Sequence, residues 1–85
     1  METRVAVIGI IVEDLSSIGE LNSILHDHGE YIIGRMGLPY KEKKIHIISI
    51  AVDAPQDVIS ALAGKIGNLR GISAKAAFSN VVTNG

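Results

Sequence analysis

The sequence predicts an α+β domain with the element order β-α-β-β-α-β. Three observations predict it: β-branched apolar runs of strand length, two stretches with apolar residues at helical spacing, and turn residues between them. The chain has 85 residues, 47% hydrophobic and 20% charged, which fits one compact domain and excludes a disordered chain. This order is the ferredoxin-like arrangement, a four-stranded antiparallel sheet with both helices on one face.

The first strand and the first helix are predicted by composition and by end signals. Arg4–Val12 is a short β-branched run bounded by charge, which is typical of a strand buried on both faces. Apolar residues then recur at helical spacing up to Gly29, a residue typical of helix ends. Asp14, Ser16 and Ser17 are all possible N-caps of this helix, and Ser17 with Glu20 fits a capping box.

The middle of the chain predicts a β-hairpin. Tyr31–Leu38 is a second strand, interrupted by two glycines, and Ile45–Val52 is a third strand of apolar residues. The polar segment Pro39–Lys44 separates them and has the composition of a turn.

The last third of the chain predicts a helix, a strand and a tail. Pro55 suits the first turn of a helix, since that position needs no backbone N–H, and Gly67 ends the apolar period. Ile72–Phe78 alternates as a strand does. We therefore assign residues 1–79 to a single domain and expect 80–85 to be a flexible polar tail.

Apolar residues on both sides of the first and third strands predict an oligomer. In the first strand Val5, Val7 and Ile11 lie on the side opposite to Ile8 and Ile10. Two helices cover only one face of a four-stranded sheet, so the other face would be left as an apolar patch. We expect a homo-oligomer, dimer or tetramer, to form through this open face or through the sheet edges.

Composition excludes several classes of function. The chain has no cysteine, which excludes disulfides, iron–sulfur clusters and thiolate zinc sites. Its net charge of −1 gives no general attraction to nucleic acid or to acidic lipid. The first and third strands carry no aromatic residue on which RNA bases could stack. The longest apolar run is too short to span a bilayer. We expect a cytoplasmic protein without a cofactor, direct nucleic-acid binding or membrane contact.

Two places carry candidate ligand-binding residues. Glu13 and Asp14 follow the first strand, where they fit either a ligand contact or the capping of the next helix. Arg35 lies between two strand glycines and could present its guanidinium to an anion, or the glycines could mark a strand bulge. Lys65, in the last turn of the second helix, suits an anion or the helix dipole.

Three histidines leave a metal site as an alternative. His26 and His28 lie at the end of the first helix and His46 lies in the third strand. A spacing of two residues points the first pair to different sides of a helix, so both bind one ion only where the helix has ended.

Two segments resemble a known family. The segments are 34–40 (GRMGLPY) and 61–67 (ALAGKIG), together with Val12-Glu13-Asp14 and Leu21-Asn22. They resemble the regulators associated with iron-only hydrogenase systems. The resemblance implies a small ACT-type domain, related in fold to the C-terminal domain of nickel-responsive repressors, with a regulatory or sensory role. The Cys of those repressors is absent here. The first turn also lacks the Pro-Gly of amino-acid-binding ACT domains, which argues against an amino-acid ligand.

The residues and the resemblance together predict a non-catalytic regulatory module that senses a small molecule. An assembly or adaptor protein without a small ligand is one alternative, and a histidine-based metal sensor is another. The predicted ligand-binding residues are Glu13, Asp14, Arg35, Gly37, Gly64 and Lys65.

Overall fold

The chain folds into one antiparallel sheet and two helices. A computed structural model describes residues 2–84. The elements are β1 (Glu2–Val12), α1 (Ile18–Asp27), β2 (Ile32–Tyr40), β3 (Ile45–Ala54), α2 (Gln56–Gly67) and β4 (Ile72–Asn84). The strand order is β2-β3-β1-β4 and every neighbouring pair is antiparallel. This topology confirms the ferredoxin-like fold.

Strand alternation divides the sheet into two different faces. On β1 the even-numbered residues Ala6, Ile8, Ile10 and Val12 are at most 1% exposed. They form one core with the apolar residues of both helices, which places α1 and α2 on the same face. The buried helix residues are Leu21, Leu25, Ile59, Leu62 and Ile66.

The opposite face, which we call the open face, has no helix over it within residues 2–84. Its odd-numbered β1 residues are much more accessible, with Val5 41% and Val7 44% exposed. Because directly paired residues of neighbouring strands share a face, β2 contributes Met36 and Leu38, which are 67% and 56% exposed. The sequence-based assignment of the two faces of the first strand is confirmed.

The start of α1 differs from the predicted capping box. A 3₁₀ turn, Leu15–Ser17, precedes the helix, and Asp14 caps that turn. Ser17 stands directly before α1, but its hydroxyl donates to the carbonyl of Arg70 at 2.7 Å and makes no cap hydrogen bond. Ser17 is only 3% exposed, so its hydroxyl must find a partner inside the protein, and that carbonyl is the partner available.

The hairpin between β2 and β3 is longer than the sequence predicts and is irregular at both ends. The register shifts between Ile32 and Gly34, which leaves Ile33 as a bulge residue. At the far end, Lys41–Lys43 form a 3₁₀ turn and Lys44 has a left-handed backbone with φ 55°. The interpretation of the strand glycines as a bulge is therefore confirmed at Gly34.

The strand β4 continues past the predicted end of the domain. Val82 and Thr83 pair with Arg4 and Thr3 of β1, after a register shift opposite Val5. Residues 80–84 are therefore strand, and the predicted tail is wrong at these positions, whereas residue 85 lies outside the described residues. The β-branched pair at 81 and 82 favours an extended backbone, which the polar neighbours obscured in the sequence.

Candidate functional site

The turn after β1 is joined to the turn before β4. The backbone N–H of Glu13 donates to the carbonyl of Gly71 at 2.6 Å, and that of Asp14 donates to the same oxygen at 3.4 Å. Gly71 has φ +67°, and a Cβ added to it would lie 2.5 Å from the Cβ of Asp14. Only glycine fits this close approach without displacing a neighbour.

The carboxylate of Asp14 is occupied by its own turn. Oδ1 accepts from the backbone N–H of Ser16 at 3.0 Å and from the Ser16 hydroxyl at 2.6 Å. These two hydrogen bonds are the main cause that lowers the pKa of Asp14 below its ordinary value. Desolvation opposes them, and the positive charge of Arg70 adds a smaller lowering effect. The capping interpretation of Asp14 is therefore confirmed.

The sequence did not identify Arg70 as part of this junction. Its carbonyl accepts the Ser17 hydroxyl, and its guanidinium is the nearby charge that favours ionised Asp14. Fifty-three positions separate Ser17 from Arg70, and no spacing rule connects residues so far apart. The Gly71 that follows was the usable signal, since a glycine between a helix and a strand indicates a position with special backbone geometry.

Arg35 lies away from this junction within one chain. It pairs with Ile50 of β3, which pairs with Ile8 of β1. That level is five residues before Glu13, or about 17 Å along the strand. The Arg35 guanidinium donates from Nη2 to Oδ1 of Asn22 at 2.9 Å, which links β2 to α1.

The other predicted residues lie in two further places. Gly37 pairs with Ile48, so it faces the helices, and a Cβ added to it would meet nothing within 4 Å. Gly64 and Lys65 are exposed residues of the last turns of α2, and the surroundings of Gly64 are equally open. The six predicted residues therefore do not form one cluster within a single chain.

A cleft of about 310 Å³ lies beside the junction, where the β2–β3 hairpin extends beyond the end of β1. Leu15 of the 3₁₀ turn forms one wall of the cleft, next to Asp14 in the chain. The hairpin forms the other wall. The remaining lining residues are Pro39, Tyr40, Lys41, Lys44, Ile45 and His46. The cleft therefore has an apolar wall with two lysines and a histidine around it.

The three histidines do not converge within one chain. His28 lies after α1, where Nδ1 is 2.8 Å from the carbonyl of Ile24. His46 pairs with Val12 at the opposite end of the sheet, beside the start of α1. Between residues 2 and 84, no group of three or more His, Cys, Asp or Glu side chains is arranged to hold a metal ion. In the same part of the chain no helix is long and apolar enough to cross a membrane.

Comparison with known proteins identifies the family. Residues 4–76 match the model of the TM1266-like family, whose description is "Iron-only hydrogenase system regulator, putative". The chain belongs to this family. Its structure is similar to that of an uncharacterized protein, TM1266, from Thermotoga maritima, with a TM-score of 0.85 and 30% sequence identity. That similarity covers 89% of this chain and 96% of TM1266.

The remaining comparisons concern the fold of this TM1266-like chain. A formyltetrahydrofolate deformylase from Pseudomonas putida KT2440 is similar with a TM-score of 0.65 and 11% sequence identity. The likeness covers 91% of this chain but 29% of the deformylase, so it shows a shared fold alone. No curated protein sequence matches the chain.

Proposed function

We propose that this TM1266-like protein is a non-catalytic regulatory module that binds a small anionic molecule in the cleft beside Leu15. The description of the family as a regulator of iron-only hydrogenase systems supports the regulatory class. The cleft carries the proposal of ligand sensing, because its volume of about 310 Å³ matches the small end of ligand pockets.

The charge around the cleft favours an anion with an apolar body. Lys41 and Lys44 line the cleft, and segment 41–44 holds three lysines and one glutamate, a net charge of +2. The carboxylate of that glutamate, Glu42, accepts a hydrogen bond from the Tyr40 hydroxyl at 3.2 Å. The apolar wall offers the rest of a ligand a surface that water solvates poorly.

The backbone at Lys44 supports the same location. A left-handed backbone at a residue other than glycine costs roughly 1–2 kcal/mol, and Lys44 is the non-glycine residue with positive φ among residues 2–84. Such conformations cluster at active sites and ligand-binding sites. Lys44 lines the cleft from this position.

The proposed ligand site contains only some of the residues that the sequence predicts. Asp14 adjoins the cleft through Leu15, and Gly37 stands two positions before Pro39 on the same side of β2. Gly37 remains a proposed ligand-site residue, whereas the ionised Asp14 carboxylate, held by Ser16, would repel an anion, so Asp14 supports the wall of the cleft rather than the ligand. Arg35 continues that side of β2 beyond Gly37, so it would reach a long ligand but not a short one.

Native mass spectrometry of the untagged protein tests the proposal. We expect extra mass on the native wild-type protein that disappears under denaturing conditions, and loss of most of it in Lys44→Ala. A charge-assisted hydrogen bond contributes about 1.5–3 kcal/mol, which corresponds to roughly 10- to 100-fold in affinity. Lys65→Ala is the matched control, since it removes an exposed lysine of α2 that does not line the cleft.

Each outcome decides between defined alternatives. Extra mass lost in Lys65→Ala but kept in Lys44→Ala would move the ligand to α2 and contradict the cleft. Extra mass equal to one metal ion in both variants would favour the metal sensor. Wild-type protein that is purified from its native cells, without overexpression, and carries no extra mass would favour the adaptor without a small ligand.

A further inference from the structure

The open face of the sheet carries exposed apolar side chains on three strands. They are Val5, Val7 and Ile11 on β1, Ile47 on β3, and Met36, Leu38 and Tyr40 on β2. Contiguous apolar surface of this kind marks a contact surface in soluble proteins. We propose that a second copy of the chain binds the part of this face around Val5, Val7 and Met36, about a two-fold axis, and that Lys75 forms an ion pair with Asp53 of the partner subunit.

Two charges of opposite sign interrupt this apolar surface. Lys75 of β4 pairs with Gly9 of β1, and Asp53 of β3 pairs with Val5, so both side chains share the open face. Both are exposed. No other charged residue shares this face within the described strands.

The positions of these two charges define a symmetry axis. Lys75 lies one strand to one side of β1 at the level of Gly9, and Asp53 lies one strand to the other side at the level of Val5. Val7 is therefore midway between them. Consider a two-fold axis that passes over Val7, runs parallel to the sheet and is perpendicular to the line joining the two charges. Rotation about this axis places Lys75 of each copy over Asp53 of the other. Each Lys75 then faces the partner's Asp53, and the dimer contains the contact twice.

The same axis sets how the two sheets cross. Strand spacings of about 4.8 Å and a rise of about 3.4 Å per residue give a crossing angle of roughly 70°, near the orthogonal class of sheet packing. Packed sheets lie about 10 Å apart, a gap that the long stem of lysine and the short stem of aspartate span together. The axis also passes over Met36, which pairs with Ser49 at the level of Gly9.

Gly9 provides an independent argument for a partner on this face. A depression of about 330 Å³ lies above it, with Ile11, Ile47, Ser73 and Lys75 among its lining residues. A Cβ added to Gly9 would meet a single atom, the carbonyl oxygen of Lys75 at 4.0 Å, so packing within the chain does not require glycine. Glycine within a strand costs about 0.5–1 kcal/mol relative to alanine. In the proposed dimer Gly9 lies against the small side chain of the partner's Ala51, where it permits close contact.

The crossing leaves the hairpin end of the face uncovered. Ile47, Leu38 and Tyr40 lie beyond the edge of the crossing sheet, and Tyr40 also lines the cleft. The dimer and an occupied cleft are therefore compatible, and neither proposal depends on the other.

Sedimentation velocity of charge-exchange variants tests the dimer. We expect wild-type protein to sediment as a dimer and Lys75→Glu or Asp53→Lys to weaken the dimer at least about tenfold, because each places two like-charge contacts in the interface. The double variant Lys75→Glu/Asp53→Lys exchanges the charges, so we expect it to recover the wild-type dissociation constant within about threefold. Lys65→Glu, an equal charge change on α2, is the control and should leave the dimer intact.

A cross-linking measurement tests the position of the axis. The chain has no cysteine, so Met36→Cys introduces a single thiol, and a short bismaleimide should join two copies across the axis. Ser60→Cys places an exposed thiol on α2 and should give no cross-linked dimer. A monomeric wild-type protein, a double variant no stronger than the single ones, or equal cross-linking of both cysteine variants would each overturn the proposal.

Discussion

At Gly71 the backbone adopts a conformation that other residues rarely accept, and the space for a side chain is already occupied. Its φ is +67°, and an added Cβ would lie 2.5 Å from the Cβ of Asp14. We expect Gly71→Ala to lower the free energy of unfolding by about 3 kcal/mol, from the left-handed backbone and from overpacking together. The midpoint of urea unfolding measures the effect.

Gly64 is the matched control for that substitution. It lies within α2, and an added Cβ would meet nothing within 4 Å. Gly64→Ala should therefore raise the free energy of unfolding by about 1 kcal/mol, because alanine favours the helix. An unchanged urea midpoint in Gly71→Ala would show that the two turns separate without cost, which would contradict the junction as described.

Asp14 gives the junction a defined dependence on pH. Hydrogen bonds from Ser16 are the largest cause that lowers its pKa in the folded state below the ordinary value of 3.8. The ionised carboxylate therefore stabilises the folded protein above pH 3.8, and this contribution is lost as the pH falls through the lowered pKa. Carboxyl chemical shifts followed by NMR should show the lowered value in wild type and a rise towards 3.8 in Ser16→Ala. Equal pKa values in both proteins would assign the shift to another cause.

At the scale of elements, alternation along β1 was the strongest signal in the sequence. From Ala6 to Val12 its even-numbered residues are buried, and its odd-numbered apolar residues are accessible, so one strand predicted both faces of the sheet. The helices were predicted for a similar reason, since burial of one helix face produces the 3.6-residue period. These patterns are local consequences of burial, so they can be recognised in the sequence even when the neighbouring elements are unknown.

Element ends and contacts between elements were predicted less well. The Ser17 hydroxyl binds the Arg70 carbonyl and the Arg35 guanidinium binds Asn22, and neither partner can be read from local sequence. The end of β4 was missed because its pairing with the first residues of β1 joins opposite ends of the chain. Propensity is a weak guide where long-range pairing decides the structure.

At the scale of the whole molecule, the candidate site depends on how far the β2–β3 hairpin extends relative to β1. The cleft exists because the hairpin passes the end of β1, which stops at Val12 opposite His46. The sequence predicts the hairpin turn at 39–44 and the end of the first strand at Val12, but it does not predict how far the turn extends beyond that strand end. Lys41 and Lys44 therefore have the sequence pattern of an ordinary polar turn, and the sequence predicts ligand-binding residues at other positions.

The two-fold dimer also predicts how the stability of the whole molecule depends on concentration. When a folded dimer unfolds to separate chains, each tenfold rise in protein concentration stabilises it by about 1.4 kcal/mol. For a dimer of this size we expect the wild-type Tm to rise by about 3–5 °C per tenfold increase in concentration. The Tm of Lys75→Glu should stay constant below its weakened dissociation constant, and the charge-exchanged double variant should regain the slope. Differential scanning calorimetry over two decades of concentration measures it. A wild-type Tm that is independent of concentration would show that the sheet face is stable in water without a second copy, and would count against the dimer.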